Sequence, residues 1–320
     1  MKRRIRLFLH MICFGILITS YSVSADSFVF CDINTREKYI KEIEMPEEEA
    51  LRRTENAYIK SKYLKTKDRS VVGENILFPV YKEASKQLPY SPICYVESIW
   101  NVNGQKHISK GTGTIISPSK VLTAGHLVYD YNYGQANEIY VYPGRYQSIF
   151  PYGEARAEKI SYPKDLEKLN YNDSNTLNYR KCDIAVVNLN IPIGNSTSAI
   201  DVAFVPDSEM MALPSRQITI TGYPRSGYAL GYYDETTDSS TTIDGIMYSS
   251  WGKTMRCSGR EILYDVDTRP GMDGAAIVCR DKWSTIDLVT GIDVSYPRET
   301  SDYSVGVHIE STYYGWIMGA

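Results

Sequence analysis

Several patterns that mark particular classes of protein are scarce in this sequence of 320 residues. Histidine occurs only four times, and no two cysteines show CxxC spacing. Zinc sites usually combine such groups at close spacing, so the sequence predicts no metal site and no cofactor. Beyond the N-terminal region no apolar run approaches 18 residues, which excludes a later membrane-spanning helix of ordinary length. No internal repeat is present either.

The N-terminal region has the features of an export signal. Four basic residues (Lys2, Arg3, Arg4 and Arg6) precede an apolar run at residues 7–18, and Val-Ser-Ala at 23–25 fits a cleavage site. This order of features predicts a signal peptide over residues 1–25, and hence a secreted protein, extracellular or periplasmic. An uncleaved N-terminal anchor is the alternative.

Basic residues are not in excess once that segment is removed. Taking four from the 35 basic residues leaves 31 against 38 acidic residues, a net charge of −7. Because nucleic-acid binding depends on a basic surface, the sequence predicts no nucleic-acid partner. The abundance of tyrosine, with 27 residues, instead suits a strand-rich exported protein.

An odd number of cysteines remains after signal removal. An oxidising compartment favours disulfides, but five cysteines cannot all pair. If residues up to Arg69 are also removed, four cysteines remain and three connectivities are open. We favour Cys257–Cys279, because these residues flank strands on either side of the glycine-containing loop at 269–274, and Cys94–Cys182 by elimination.

Residues 26–70 differ in composition from the rest of the chain. Glu, Lys and Arg dominate residues 37–68, and Pro46 followed by three glutamates predicts the start of a helix. A charged helical extension ahead of a strand-rich domain is interpreted as a propeptide. The alternative is a helical arm that is retained in the mature protein.

From Pro92 onward the sequence predicts a series of short strands separated by turn residues. The predicted strands cover residues 93–99, 111–116, 121–126, 138–142, 184–189, 217–221, 288–293 and 304–309. No long amphipathic helix interrupts them before residues 310–318. The pattern predicts an all-β domain with a helix at its C-terminal end.

Three short patterns carry candidate chemistry. Residues 264–279 read YDVDTRPGMDGAAIVC, which predicts strand, tight loop and strand, and Gly271 and Gly274 favour a sharply turning loop that presents N–H groups. Residues 123–126 read TAGH, so His126 follows a small-residue stop at a strand end. Asp183 precedes an apolar strand, where a carboxylate can be buried against an imidazole.

Together these patterns resemble the chymotrypsin-fold serine peptidases, specifically the glutamyl-endopeptidase branch of secreted bacterial enzymes. The order His126, Asp183, position 273 is the order of the chymotrypsin-type triad. Pro-Gly-Arg at 143–145, Pro-Tyr-Gly at 151–153 and Gly-Tyr-Pro at 222–224 extend the resemblance. It spans about residues 71–317.

The resemblance implies a fold and a domain organisation. The expected fold is two six-stranded antiparallel β-barrels with a C-terminal helix, preceded by a partly helical N-terminal extension. Residues 69–73 resemble the junction before the mature domain of relatives, so the peptidase-like domain is expected over residues 71–320. Cleavage there, as in a zymogen, would free an amine that in relatives helps to shape the specificity pocket.

The resemblance also implies roles for individual residues. His126 corresponds to the general base, Asp183 to its orienting carboxylate, and Asp273 to the nucleophile, where the family has serine. Gly271 and Asp273 correspond to the oxyanion hole. Thr268 and Asp293 correspond to the specificity pocket, where glutamate-specific relatives have threonine and histidine. If exposed there, Asp293 would repel glutamate and favour lysine or arginine.

The two departures from the family pattern predict a loss of activity. A carboxylate at 273 has no hydroxyl proton for His126 to remove, and it brings negative charge to the oxyanion hole. The sequence therefore predicts a secreted serine-peptidase homologue that binds a peptide or protein ligand without cleaving it. The alternative is an active secreted serine endopeptidase that uses His126 and Asp183. A purely structural or adhesive role has no dedicated motif, and the oligomeric state is not predicted.

Overall fold

The computed structural model describes residues 25–61, 77–168, 180–212, 216–280, 287–295 and 303–319. The predicted signal peptide, apart from Ala25, lies outside these ranges. So does the proposed processing boundary at residues 69–73. Within the described residues no helix is long and apolar enough to cross a membrane.

The first half of the described chain contains the strands of one closed barrel and several outside it. The strands of this half are β1 (Asp26–Asp32), β2 (Lys38–Ile43), β3 (Phe78–Pro79), β4 (Ile93–Val102), β5 (Gln105–Ser117), β6 (Lys120–Thr123), β7 (Tyr129–Asp130), β8 (Gly134–Gln135), β9 (Glu138–Pro143), β10 (Ala155–Pro163) and β11 (Ala185–Leu189). Six of them form the antiparallel barrel in the order β11-β6-β5-β4-β9-β10, which closes through pairing of β10 with β11.

The second half of the described chain contains the strands of another closed barrel and one separate hairpin. The strands of this half are β12 (Gln217–Gly222), β13 (Ala229–Asp234), β14 (Ser239–Thr241), β15 (Tyr248–Ser258), β16 (Glu261–Tyr264), β17 (Ala276–Arg280), β18 (Asp287–Ser295) and β19 (Ser304–His308). The barrel order is β12-β17-β18-β19-β16-β15, and pairing of β12 with β15 closes it. The short strand β3 joins this sheet by pairing with β15, whereas the hairpin β13–β14 lies outside it.

The α-helices of the described chain flank the two barrels. They are α1 (Glu47–Ser61), α2 (Gly194–Thr197), α3 (Asp207–Met210) and α4 (Ser311–Gly319). The helix α4 begins one residue after the predicted start, and α1 begins directly after Pro46, as expected for proline before the first helical turn.

The prediction of two six-stranded antiparallel barrels with a C-terminal helix is confirmed. Alternation explains why these segments form barrel strands: in β9 the residues Ile139, Val141 and Pro143 are buried, and their neighbours are half-buried. Successive side chains point to opposite faces of a strand, so one face of each strand fills its barrel.

The N-terminal extension is built into the first barrel. Strand β1 pairs with β10 through five residue pairs, and β2 pairs with β1. Phe28 and Val29 are fully buried, and the Phe28 ring stacks on Trp316 of α4 with ring centroids 4.7 Å apart. Met45 is also buried and lies against Gly315 of the same helix. The extension therefore shares the core of the domain that comes after it in the chain.

The predicted disulfides are wrong for this structure. Cys31, Cys94, Cys182, Cys257 and Cys279 form no disulfide with one another. Cys257 lies on β15 and Cys279 on β17, and β12 separates these strands in the sheet. Strands two positions apart are about 10 Å apart, beyond the ~7 Å Cα limit for a disulfide. Cys94 on β4 is likewise three strands away from β11, which follows Cys182.

Candidate active site

His126 lies in a single 3-10 turn, Gly125–Leu127, directly after strand β6. Glycine is needed before it, because a Cβ at Gly125 would lie 2.7 Å from Leu166 Cδ2 and 3.1 Å from Asp183 Oδ1. Leu127 is buried in the barrel, whereas 21% of the His126 side chain is exposed. The turn therefore fixes the backbone and leaves the imidazole edge at the cleft.

Strand register brings Asp183 to His126. In the antiparallel pair β6–β11, Thr123 lies opposite Ala185, so the residues just beyond, at 125–126 and 183, come together. The backbone N–H of His126 donates to Asp183 Oδ1 at 2.7 Å, and His126 Nδ1 lies 2.8 Å from Asp183 Oδ2. Asp183 is fully buried. Its carboxylate thus holds both the backbone and the ring of His126.

The loop between β16 and β17 depends on two glycines in the left-handed region, Gly271 with φ 98° and Gly274 with φ 87°. A Cβ at Gly274 would lie 2.2 Å from Thr112 O, so the loop approaches the first barrel closely. The Thr112 N–H donates to Asp273 O at 2.9 Å, and the Thr123 hydroxyl donates to Thr112 O at 2.6 Å. Asp273 is therefore held where the two barrels meet.

Asp273 and His126 change each other's charge state. Burial raises the pKa of Asp273, and the nearby Asp183 adds to this effect, while the positive charge of His126 opposes it. Burial lowers the pKa of His126, and the charge of Arg225 lowers it further. The charge and hydrogen bond of Asp183 and the charge of Asp273 raise it by more. The pKa of His126 is therefore raised to about 9.

The resulting arrangement is an imidazolium between two carboxylates at neutral pH. A group with a pKa of about 9 holds its proton near pH 7. His126 can then donate a hydrogen bond or a proton to a bound group, but it cannot accept one. The Gly271 N–H faces Asp273 Oδ2 at 3.4 Å, a long contact that places the carboxylate against a backbone donor.

The two predicted pocket residues lie close together around the start of β19. Thr268 contacts Ser304 through hydroxyl oxygens 3.3 Å apart, and Asp293 pairs with Gly306 in the β18–β19 register. Both Thr268 and Asp293 are only 1% exposed. The Tyr264 hydroxyl donates a hydrogen bond to Asp293 Oδ1. Asp293 is therefore covered, and the condition for a lysine- or arginine-selective pocket, an exposed carboxylate, is not met.

Sequence reasoning missed two residues of the candidate site, Tyr264 beside Asp293 and Arg225 near His126. Alternation predicts Tyr264 only as a strand residue, and a buried strand tyrosine is usually a core residue. Arg225 follows the Gly-Tyr-Pro turn, and its charge opposes the protonation of His126. Its backbone N–H donates to Pro270 O at 2.7 Å, which ties that turn to the Asp273 loop. The position of Arg225 directly after the Gly-Tyr-Pro turn at 222–224 is the one feature of the sequence that could have indicated its closeness to the candidate site.

Comparison with known sequences places these features in a family. Residues 95–317 match the trypsin family. The chain is 31% identical over 190 residues to a glutamyl endopeptidase of Bacillus licheniformis, covering 59% of this chain and 49% of that protein. It is 31% identical over 113 residues to an extracellular metalloprotease of Bacillus subtilis, covering 35% and 33%. The chain thus matches half or less of the length of these relatives.

Solved structures share the architecture. A Glu endopeptidase in complex with MPD aligns with a TM-score of 0.56 at 22% identity, covering 78% of this chain and 98% of that one. HL collagenase aligns with a TM-score of 0.52 at 14% identity, covering 76% and 96%. At such identities the likeness concerns the fold. The family match takes in both barrels and the C-terminal helix, and this chain belongs to the trypsin family of chymotrypsin-fold serine peptidases.

Proposed function

We propose that this protein is an exported serine-peptidase homologue that binds a peptide or protein in its cleft and does not hydrolyse it. The observation that carries the proposal is the carboxylate of Asp273, which lies in the cleft between the barrels and helps to raise the pKa of His126. Asp273 occupies the position at which the family carries its nucleophilic serine.

The nucleophile is the first element that fails. Attack on a peptide carbonyl in this family requires a hydroxyl that loses its proton to histidine. An ionised carboxylate has no proton to give. Its attack on an amide would form a mixed anhydride and would require a carboxylate to expel an amine. Asp273 is therefore a poor substitute for serine.

The base is the second element that fails. A general base must be unprotonated at the working pH. The pKa of His126 is raised to about 9, because Asp183 and Asp273 outweigh the effect of burial. At neutral pH the imidazole already holds the proton that catalysis would ask it to accept.

The oxyanion donor is the third element that fails. The Gly271 N–H lies 3.4 Å from Asp273 Oδ2. In the family such a donor stabilises the negative oxygen that develops during acyl transfer. A carboxylate oxygen beside that donor repels the developing charge. The same donor and the protonated His126 can instead hold an acceptor group of a bound peptide.

The second candidate function is an active secreted endopeptidase, and the intact geometry of one pair favours it. His126 and Asp183 keep contacts of 2.7 and 2.8 Å, the arrangement expected of a working base and its orienting carboxylate. Water could attack in place of a serine. Oxyanion donors and binding alone supply only ~10³–10⁴-fold over water, so such turnover would be feeble.

The test compares wild type, Asp273→Ser, Asp273→Asn and His126→Ala, each cut after Arg69 with residues 26–69 left bound. Peptide libraries carrying Glu, Asp, Lys or Arg before the scissile bond report cleavage, and the same peptides labelled for fluorescence polarisation report binding. We expect wild type to bind without cleaving. Asp273→Ser should cleave, whereas the matched Asp273→Asn, which removes only the charge, should not.

The outcomes separate the two candidates. Cleavage by wild type that is lost in His126→Ala would establish the active endopeptidase and refute our proposal. Wild type that neither binds nor cleaves any library would refute peptide binding in the cleft. Recovery of cleavage in Asp273→Ser shows that the remaining machinery is assembled.

We also propose that residues 26–61 belong to the folded protein and are not discarded as a propeptide. The buried residues Phe28, Val29 and Met45 support this proposal, and so do the five residue pairs between β1 and β10. Removing these residues would expose the apolar face of α4. These contacts favour the retained arm, the alternative to a removable propeptide over residues 26–70.

A further inference from the structure

Three side chains that could bind a metal converge on the second barrel, away from the cleft. Asp207 at the start of α3, Cys257 on β15 and His308 on β19 bring an oxygen, a sulfur and a nitrogen within 4.8 Å of one another. We propose that these residues bind a divalent transition metal, with zinc preferred. Zinc favours such mixed nitrogen, sulfur and oxygen ligands.

The separations fit one metal ion. Asp207 Oδ1 lies 3.4 Å from His308 Nδ1 and 3.4 Å from Cys257 Sγ. Zinc bonds of about 2.0–2.2 Å to nitrogen and oxygen and about 2.3 Å to sulfur separate tetrahedral ligand atoms by roughly 3.3–3.6 Å. The two separations that involve Asp207 therefore match those of ligands on one metal ion, and Cys257 and His308 lie within 4.8 Å of each other.

The outer hydrogen bonds are those that orient metal ligands. His308 Nε2 lies 3.0 Å from Val205 O, so Nδ1 is the nitrogen on the side of Asp207, 3.4 Å from Oδ1 and 2.8 Å from Gly259 O. The Gly259 N–H donates to Asp207 Oδ2 at 2.8 Å, which leaves Oδ1 directed at the cluster. Ligand histidines usually donate their second N–H to a carbonyl in this way, and ligand carboxylates are usually hydrogen-bonded.

The cluster is also accessible from one side. His308 is fully buried, but 46% of the Asp207 side chain is exposed. A metal can enter past Asp207, and water can supply a further ligand. Gly259 O, which lies 2.8 Å from His308 Nδ1, is another oxygen beside the proposed position.

Hydrogen bonds hold the cluster together without a metal. Both nitrogens of His308 face carbonyl oxygens, those of Gly259 and Val205. Cys257 Sγ lies 3.4 Å from Asp207 Oδ1, and burial raises the pKa of this thiol. Binding of a divalent cation requires a Cys257 thiolate and an unprotonated His308 Nδ1, and any proton on either atom would pass to solvent.

Neighbouring cations do not prevent metal binding, because each is paired. Arg256 lies 2.5 Å from Glu261, and Arg260 lies 3.2 Å from Glu310 and also contacts Asp26. These acids offset the positive charge next to the cluster.

The test uses the purified chain from residue 26 onward and titrates Co²⁺ and Zn²⁺ separately. Co²⁺ bound to a thiolate produces an absorption band that reports Cys257 directly, and calorimetry with Zn²⁺ gives stoichiometry and affinity. We expect one metal per chain in wild type. Cys257→Ala should lose the thiolate band and bind Zn²⁺ at least ~10-fold more weakly. Loss of a residue that only hydrogen-bonds to a ligand typically weakens metal binding ~10- to 100-fold, and loss of the ligand itself should cost no less. Cys279→Ala, a buried cysteine of the same barrel, should keep both signals.

Asp207→Asn provides a second variant at a half-exposed position that does not threaten folding. It should weaken Zn²⁺ binding as well. Wild type without a thiolate band or Zn²⁺ binding would overturn the proposal and leave a hydrogen-bonded cluster. Equal affinity in wild type and Asp207→Asn, or in wild type and a folded Cys257→Ala, would also overturn it.

Discussion

At the scale of single residues, His126 shows how one neighbour alters the charge of the cleft. The charge of Asp273 adds to that of Asp183 in raising the pKa of His126 to about 9 from a usual value of 6.5. This protonation stabilises the fold fully below pH 6.5, and the contribution is lost as the pH rises through about 9.

We expect the charge of His126 to respond to Asp273 specifically. Titration of the ring protons by NMR should give a pKa of about 9 in wild type. Asp273→Asn should lower it, because a neutral amide does not stabilise the imidazolium. Asp293→Asn is the control, since that carboxylate is hydrogen-bonded to Tyr264, and should leave the value unchanged. An unchanged pKa in Asp273→Asn would contradict the proposed arrangement.

At the scale of elements, the β1–β2 hairpin has one buried and one exposed strand. Phe28 is fully buried on β1, whereas Ile40 on β2 is 46% exposed. Strand β1 lies against α4, where Phe28 stacks on Trp316 and also contacts the Tyr313 ring. The hairpin therefore contributes to stability through one strand far more than through the other.

Two substitutions in this hairpin should separate these contributions. Phe28→Ala should lower the free energy of unfolding by about 3–5 kcal/mol, the usual cost of truncating a buried aromatic side chain. Ile40→Ala should change it by no more than about 0.5 kcal/mol, as at ordinary surface positions. Urea denaturation measures both. Equal, small effects would show that the hairpin is not part of the cooperative unit.

At the scale of the whole molecule, the first barrel, the extension and the C-terminal helix share one core. Strand β1 continues the sheet at β10, and α4 lies against both the barrel and the extension, where the Trp316 N–H donates to Ser161 on β10 at 3.1 Å. Separating residues 26–61 would break the β1–β10 pairing and the contacts of the extension with α4 at once.

We expect the extension to remain bound after cleavage. A specific protease site inserted after Arg69 would allow the chain to be cut without altering the described residues. Under native conditions the two fragments should elute together in size-exclusion chromatography, and they should separate in denaturant. An uncut protein with the same insertion is the control. Fragments that separate without denaturant would support release as a propeptide.

Local patterns in the sequence are enough to predict an all-β domain and to select candidate site residues. Alternating strands and turn residues are the local signals, whereas the two six-stranded barrels were expected from the family resemblance and are confirmed. His126, Asp183 and Asp273 were selected because each lies in a short pattern at a strand end or a tight loop. The structure brings His126 and Asp183 into contact and places Asp273 beside them.

Which distant residues meet depends on the way the two barrels close. Closure separates Cys257 from Cys279 by an intervening strand, covers Asp293 with Tyr264, and joins the charged extension to the barrel core. It also gathers Asp207, Cys257 and His308 from positions about 50 residues apart. Barrel closure and strand register set these contacts, and neither is encoded in the spacing of residues along the chain.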